Sequence, residues 1–379
     1  MHAAAAETRE ISVDSPQASA GTRLKSLDAL RGFDMFWIIG GGELVRGLAK
    51  GWDTPVLNAF VPQLEHVRWQ GLHCWDAIWP LFMFIVGVAI PFSIERRRVA
   101  GASSRSLFLH ALWRSLILFA IGTATQGNLL EWDLSVFRPC YSVLHGIAAG
   151  YLIAVIVVLA VRPRGRVIVL GGFLLAYWAL LMFIPVPGVG RGVLMPTGNA
   201  ATYVDQAVLG RFHYGENTWF LSYLGFASSV LLGVLAGELL ASARPAKTKI
   251  LLLVAAGAAC IAQGMLWSIE FPIIKLLWTS SFVLVAGGIS FLALALFYWI
   301  IDVLGYQRWA FFFVVIGMNS LAVYVATMLF DFSRITNVFI GALLPRLGRW
   351  SNFTEAIVTL GIIWLLLLWM YRKGTFIRL

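Results

Sequence analysis

The chain has 379 residues, 59% of them hydrophobic and 13% charged, with a formal net charge of +10. Soluble domains carry about 25% charged residues, so a chain of this composition, with a mean hydropathy of +0.80, is solvated largely by lipid. The positive charge does not imply nucleic acid, because the basic residues come in short clusters between apolar runs, which is how membrane topology is written. Three scattered cysteines, Cys74, Cys140 and Cys260, exclude a disulfide framework and a cysteine metal site.

Residues 1–22, MHAAAAETREISVDSPQASAGT, lack the apolar core of a signal peptide and read as a disordered cytoplasmic tail. A membrane helix needs about 20 mostly apolar residues. Ten segments qualify: 28–49, 75–94, 107–125, 140–161, 166–184, 219–241, 249–268, 277–301, 309–330 and 355–371. With the N-terminus inside, the clusters at Arg23 and Lys25, Arg96 to Arg98, Arg162 to Arg166, Arg244 to Lys249, Arg308 and Arg372 to Arg378 all fall on the cytoplasmic side. The expected fold is all-α: a polytopic integral membrane protein of about ten transmembrane helices, both termini cytoplasmic, with residues 23–379 as one domain. The opposite face carries Trp69, Trp75, Trp132, Trp219, Trp267 and Trp278 near helix ends, an interfacial belt. It also carries the three longest loops, 50–74, 185–218 and 331–354, and long loops are where function concentrates.

Polar groups inside the spans are costly and require a purpose. Asp28, Arg31 and Asp34 recur every three residues and share one helical face, which predicts a local ion network, with Arg31 also a candidate contact for a phosphorylated cofactor. Gly40, Gly41 and Gly42 cost about 1 kcal/mol each against alanine in a helix; their use is close approach of a neighbouring helix or of a ligand, and the adjacent Glu43 favours a cavity. Asn319, in GMNS, reads as interhelical glue or as the lining of a ligand tunnel. Thr279, Ser280 and Ser281 sit at an outer helix end beside Lys275, where hydroxyls also bond locally to backbone.

The stretch EHVRWQGLHCWDAIWPLF places His66 and His73 just outside the second span and Asp76 at its mouth. An imidazole is suited to proton transfer near neutral pH, and a carboxylate, here Glu65 or Asp76, orients its ring. Trp69, Trp75 and Trp79 surround the site. These residues define a polar site at the outer mouth of a helical bundle and leave transporter and enzyme open.

At these residues the sequence resembles the transmembrane acyltransferase family that includes heparan-α-glucosaminide N-acetyltransferase. The likeness runs from Arg23 to the C-terminus through RLKSLDALRGFDMFWIIGGGE, through H-x-x-W-x-G-x-x-x-x-D at His66, Trp69, Gly71 and Asp76, and through P-x-F-x-F-x-x-G at Pro80, Phe82, Phe84 and Gly87. LLGVLAGE, LWTSSFVL, GMNSLAVYV and WMYRKGTFIRL follow in the family's order. The resemblance implies transfer of an acetyl group from cytoplasmic acetyl-CoA to an extracytoplasmic acceptor, a saccharide amine or hydroxyl. His66 matches the family's active-site histidine, as general base or as acyl carrier, with Asp76 and Glu65 beside it. Arg31, Gly40, Gly41, Gly42, Asn319 and Ser280 are the residues expected to meet the donor, and Trp69, His73, Glu43 and Glu216 the acceptor. The expected setting is a bacterial inner membrane, the active-site loop outside, with no metal and no nucleic acid, and a homodimer as the oligomer. The alternative is a transporter or flippase for a saccharide or lipid-linked saccharide. The chain departs from the family's pattern at Ile38, where eukaryotic members have asparagine, at Gly146, where arginine is usual, and at Glu216, Asn217 and Thr218 in place of D-P-E.

Overall fold

The computed structural model describes residues 24–125 and 137–377. The N-terminal tail, Trp132 and Arg378 lie outside the described residues. Regular structure among the described residues is helical. The helices are α1 (Lys25–Phe36), α2 (Gly42–Trp52), α3 (Pro55–Phe60), α4 (Ile78–Val99), α5 (Ser104–Ala124), α6 (Val143–Ala160), α7 (Pro163–Phe183), α8 (Ala200–Leu209), α9 (Tyr223–Ala241), α10 (Ala246–Trp267), α11 (Ser280–Phe297), α12 (Phe311–Met318), α13 (Ser320–Leu329), α14 (Phe332–Ile340) and α15 (Ser351–Arg372).

Eight of these are long and apolar enough to cross a membrane, and a ninth span is added if α12 and α13, bent by 70° at Asn319, are taken as one. The difference from the expected ten is the first segment. There α1 runs into a π-turn at Trp37–Gly41 that leaves helical geometry at Gly40, and α2 resumes beyond it. Apolar composition alone does not register such a break.

The inner set is α4, α6, α9 and α11, with α10 packed on α11, α12 on α1 and α15 on α2. Close packing follows from glycine. On α4 and α9, Gly87 faces the Val230 carbonyl, Gly233 the Phe84 carbonyl and Gly237 the Val88 carbonyl, so the two backbones touch where any side chain would hold them apart. Gly32 of α1 and Gly317 of α12 repeat the arrangement against Phe313 and Asp28. Dispersion between backbones brought this close replaces the hydrophobic drive that lipid cannot provide.

The ion network expected to include Asp34 is corrected here. Asp34 is 1% exposed and neither of its carboxylate oxygens has a hydrogen-bond partner among the described residues, so it does not join a network with Asp28 and Arg31. Three residues on a helix advance about 300°, and the resulting offset is enough to turn Asp34 into the packed interior. Asn319 is fully buried at the α12–α13 bend, where its amide donates to the Thr375 carbonyl (3.2 Å) and its oxygen accepts from the Ile377 N–H (3.0 Å). It ties the C-terminal segment to the bend.

Three loops far apart in sequence gather at one end of the bundle. Gly71 N–H donates to the Ile273 carbonyl (2.9 Å), Trp69 Nε1 to the Leu194 carbonyl (2.8 Å) and Thr218 N–H to the Leu276 carbonyl (3.1 Å). This is the end where α4 begins; the arginines Arg96, Arg97 and Arg98 occupy its last turn, at the opposite end, where cations complement the helix dipole.

Candidate functional site

The site grows from the approach to α4. A short 3-10 turn at Cys74–Ala77 presents Asp76, whose Oδ2 accepts the backbone N–H groups of His73 (3.1 Å) and Val67 (3.3 Å). The carboxylate thereby pins both ends of the 67–73 loop that follows His66. Gly71 lies inside that loop at φ 123°, a conformation open to glycine and poor for other residues, and there the chain turns to bridge onto residues 273–274.

Asp76 Oδ1 faces His66 Nδ1 at 2.8 Å and Lys275 Nζ at 3.2 Å. An ionised carboxylate only accepts, so in the tautomer that pairs with Asp76 the proton sits on Nδ1 and Nε2 keeps its lone pair. Lys275 Nζ also lies 2.9 Å from His66 Nδ1 and 3.4 Å from Nε2, against the edge of the ring. The three side chains differ in exposure: Asp76 1%, Lys275 14% and His66 57%. Burial pushes the Lys275 ammonium below the usual lysine range, and Asp76 offsets part of that push. A buried acid and a partly buried lysine thus support one imidazole that opens outward.

Of the two carboxylates considered for orienting the ring, Asp76 takes the position. Glu65 contributes its backbone carbonyl, which accepts from His73 Nδ1 (3.0 Å), while its side chain is exposed. Glu43 pairs with Arg46 (2.6 Å), whose guanidinium lies 5.6 Å from the centre of the Trp75 ring and donates to the Leu64 carbonyl (2.8 Å). Trp75 lies 6.5 Å from the His66 ring. A Cβ on Gly42 would stand 2.9 Å from the Trp75 ring, and one on Gly41 2.5 Å from Phe36, so both glycines make room for aromatic neighbours. Gly40 faces Leu360. The Ser280 hydroxyl donates to the Leu174 carbonyl (2.8 Å), Arg31 lies on α1 away from this end, and Glu216 is exposed two residues before Thr218.

Beneath Asp76 the aromatic rings close together. Trp79 lies 4.6 Å from Trp278 and 5.5 Å from Phe226 between centroids, and the buried indole N–H groups of Trp79 and Trp219 have no partner among the described residues. Gly146 is fitted to this cluster: a Cβ there would meet Trp79 at 2.9 Å and Met83 at 3.1 Å. His145, next to it, is buried. Its Nδ1 accepts the backbone N–H groups of Tyr141 and Ser142, both at 3.1 Å, and it caps α6. On α8, Asp205 accepts from Trp219 N–H (2.7 Å) and Phe220 N–H (3.0 Å), and burial raises its pKa to about 6.

Lys275, noted in the sequence as a neighbour of the Thr279–Ser281 hydroxyls, has no role there that points to His66. Its only signal is a single cation within the otherwise apolar FPIIKLLW.

The chain is 27% identical, over 93% of its length, to heparan-alpha-glucosaminide N-acetyltransferase from Homo sapiens, and 28% identical, over 81%, to the protein of the same name from Mus musculus. It spans 59% and 53% of those relatives' lengths. No family model matches the chain. Similarity of this extent relates the chain to that group of proteins.

Proposed function

We propose that the chain is an integral-membrane acetyltransferase that moves an acetyl group from cytoplasmic acetyl-CoA to a saccharide amine or hydroxyl on the extracytoplasmic side. The observation that carries the reading is the buried Asp76 held 2.8 Å from His66 Nδ1; on this reading Nδ1 donates to Asp76 and Nε2 faces the open mouth as the base. The names of the two curated relatives support the chemistry.

In the proposed reaction, Nε2 takes a proton from the acceptor's amine or hydroxyl as that nitrogen or oxygen attacks the thioester carbonyl. The carbon–sulfur bond breaks, the acetyl group stays on the acceptor, and the departing thiolate takes the proton from Nε2. Asp76 stabilises the transient imidazolium and Lys275 holds Asp76 in register. Trp69, His73, Glu43 and Glu216 are the proposed acceptor contacts, and Arg31 with the Gly40–Gly42 backbone the proposed donor contacts. Aromatic faces such as Trp69 and Trp75 suit the apolar faces of sugars.

The test is transfer from labelled acetyl-CoA to glucosamine by the purified chain in proteoliposomes. Loss of a general base lowers rates by about 10²–10⁴-fold, and that is the fall expected for His66→Ala. A His66→Ala chain that transfers at the wild-type rate, or a wild-type chain that moves saccharide across the bilayer with no acyl transfer, would overturn the proposal.

A further inference from the structure

Helix α4 ends on the order of 30 Å from the His66 loop, and a second group of polar side chains sits at that end. Arg97 occupies the last turn of α4. Helix α5, which packs chiefly on α6, carries Leu107, His110, Ala111 and Arg114 along one face at helical spacing. That face and Tyr151 of α6 enclose a cavity of about 40 Å³ against α4. Arg97 Nη2 donates to His110 Nε2 (2.8 Å), and the Arg114 guanidinium lies 4.7 Å above the Tyr151 ring. The Nε atoms of both arginines are buried and have no hydrogen-bond partner among the described residues. No carboxylate lines the cavity among those residues.

Two guanidinium groups in one crevice repel each other and leave buried N–H donors unmet, a costly arrangement unless an anion completes it. Their planar forks match an oxyanion with several acceptor oxygens. One water requires about 10–15 Å³ of such a cavity, so the space admits a compact tetrahedral group and not a ring. Packing alone accounts for the Tyr151 contact and leaves the paired cations unexplained.

We propose that the crevice between α4, α5 and α6 is a phosphate-binding site for a ligand arriving from the basic end of the bundle. Two ligands offer that chemistry: an anionic phospholipid headgroup, and the phosphates of coenzyme A, the second resting on the acetyl-transfer reading above. Basic pockets between membrane helices at the basic end are suited to either.

The experiment uses the full chain purified in a phosphate-free maltoside detergent, with coenzyme A and phosphatidylglycerol as separate probes and binding read by calorimetry. Wild type is expected to bind at least one, and the Arg97→Gln/Arg114→Gln double variant to bind it at least 10-fold more weakly. Loss confined to coenzyme A identifies the acyl donor as the source; loss confined to phosphatidylglycerol identifies lipid. Thermal unfolding without ligand establishes that the double variant is folded. Should it not be, Arg114→Lys and His110→Gln replace it, each expected to weaken the same probe at least threefold. Binding of both probes unchanged in the folded variants, or binding of neither by wild type, overturns the site. That failure leaves the acetyl-transfer reading standing, since His66→Ala measures it separately.

Discussion

The imidazole of His66 is held by groups contributed from two places in the chain. Asp76 follows ten residues later and is legible in the sequence, because a loop that short keeps both residues at one helix mouth. Lys275 arrives from a position 209 residues on, and no local pattern announces it. Removing Lys275 leaves a buried carboxylate with less than its due of partners. Breaking a buried ion pair costs about 3–5 kcal/mol; Lys275→Met is expected toward the lower end of that range, because Asp76 keeps His66 and two backbone donors. The same variant is expected to lower kcat by about tenfold with little change in KM, since its effect on the acceptor passes through the orientation of His66. Denaturation of the purified chain and steady-state transfer assays check both, with Lys275→Arg expected to recover most of the stability. A Met variant as stable and as active as wild type would remove Lys275 from the site. Asp34 teaches the converse. Its spacing from Asp28 and Arg31 predicts a shared face, yet its carboxylate is buried apart, because a three-residue step only approximates the helical repeat.

Length and hydropathy announce some elements of this chain and not others. The apolar runs that became α4, α5, α6, α7, α9, α10, α11 and α15 were visible as length and hydropathy. The break at Gly40 and the bend at Asn319 were not, because both are changes of backbone direction within apolar composition. Glycine carries a second kind of information. LLGVLAGE on α9 and FIVGV on α4 read as ordinary membrane segments, and only their juxtaposition shows that Gly87, Gly233 and Gly237 form one seam. A methyl group at Gly87 would collide with the Val230 carbonyl, which belongs to rigid helix backbone. Gly87→Ala is therefore expected to separate α4 from α9 and to destabilise the chain by about 1–3 kcal/mol, the usual cost of overpacking. Thermal unfolding in detergent reads this directly; an unchanged midpoint would mean that the two helices slide past each other freely. Because Asp76 sits in the turn that leads directly into α4, a smaller loss of transfer activity is expected alongside.

At the scale of the molecule, charge is separated from chemistry. The His66 loop, Leu194 and the 273–276 segment meet at one end, and Arg97, Arg98 and Arg166 lie at the other, where Arg166 pairs with Glu238. Positive charge is retained on the cytoplasmic side of membranes, and the proposed reaction accordingly has the His66 mouth outside. Cys74 offers a direct check, being exposed beside His73, whereas Cys140 is buried, with its thiol pushed up by that burial, and Cys260 lies partly buried on α10. A membrane-impermeant maleimide added to sealed, right-side-out vesicles is expected to label the wild-type chain and to spare Cys74→Ser. Labelling only after the vesicles are opened would invert the assignment and place the imidazole with the cytoplasmic donor.

What the sequence determined by itself was the lipid-solvated, all-helical class, the position of most spans, the basic end and the His66–Asp76 pair. Each is a property of composition or of residues a few positions apart, and hydropathy and short loops are local quantities. What only the tertiary structure decided was which distant groups meet: Lys275 with Asp76, Trp69 with Leu194, Arg97 with His110 and Arg114. Those meetings depend on how glycine seams bring the helices together, and backbone contact of that kind is fixed by the whole bundle at once.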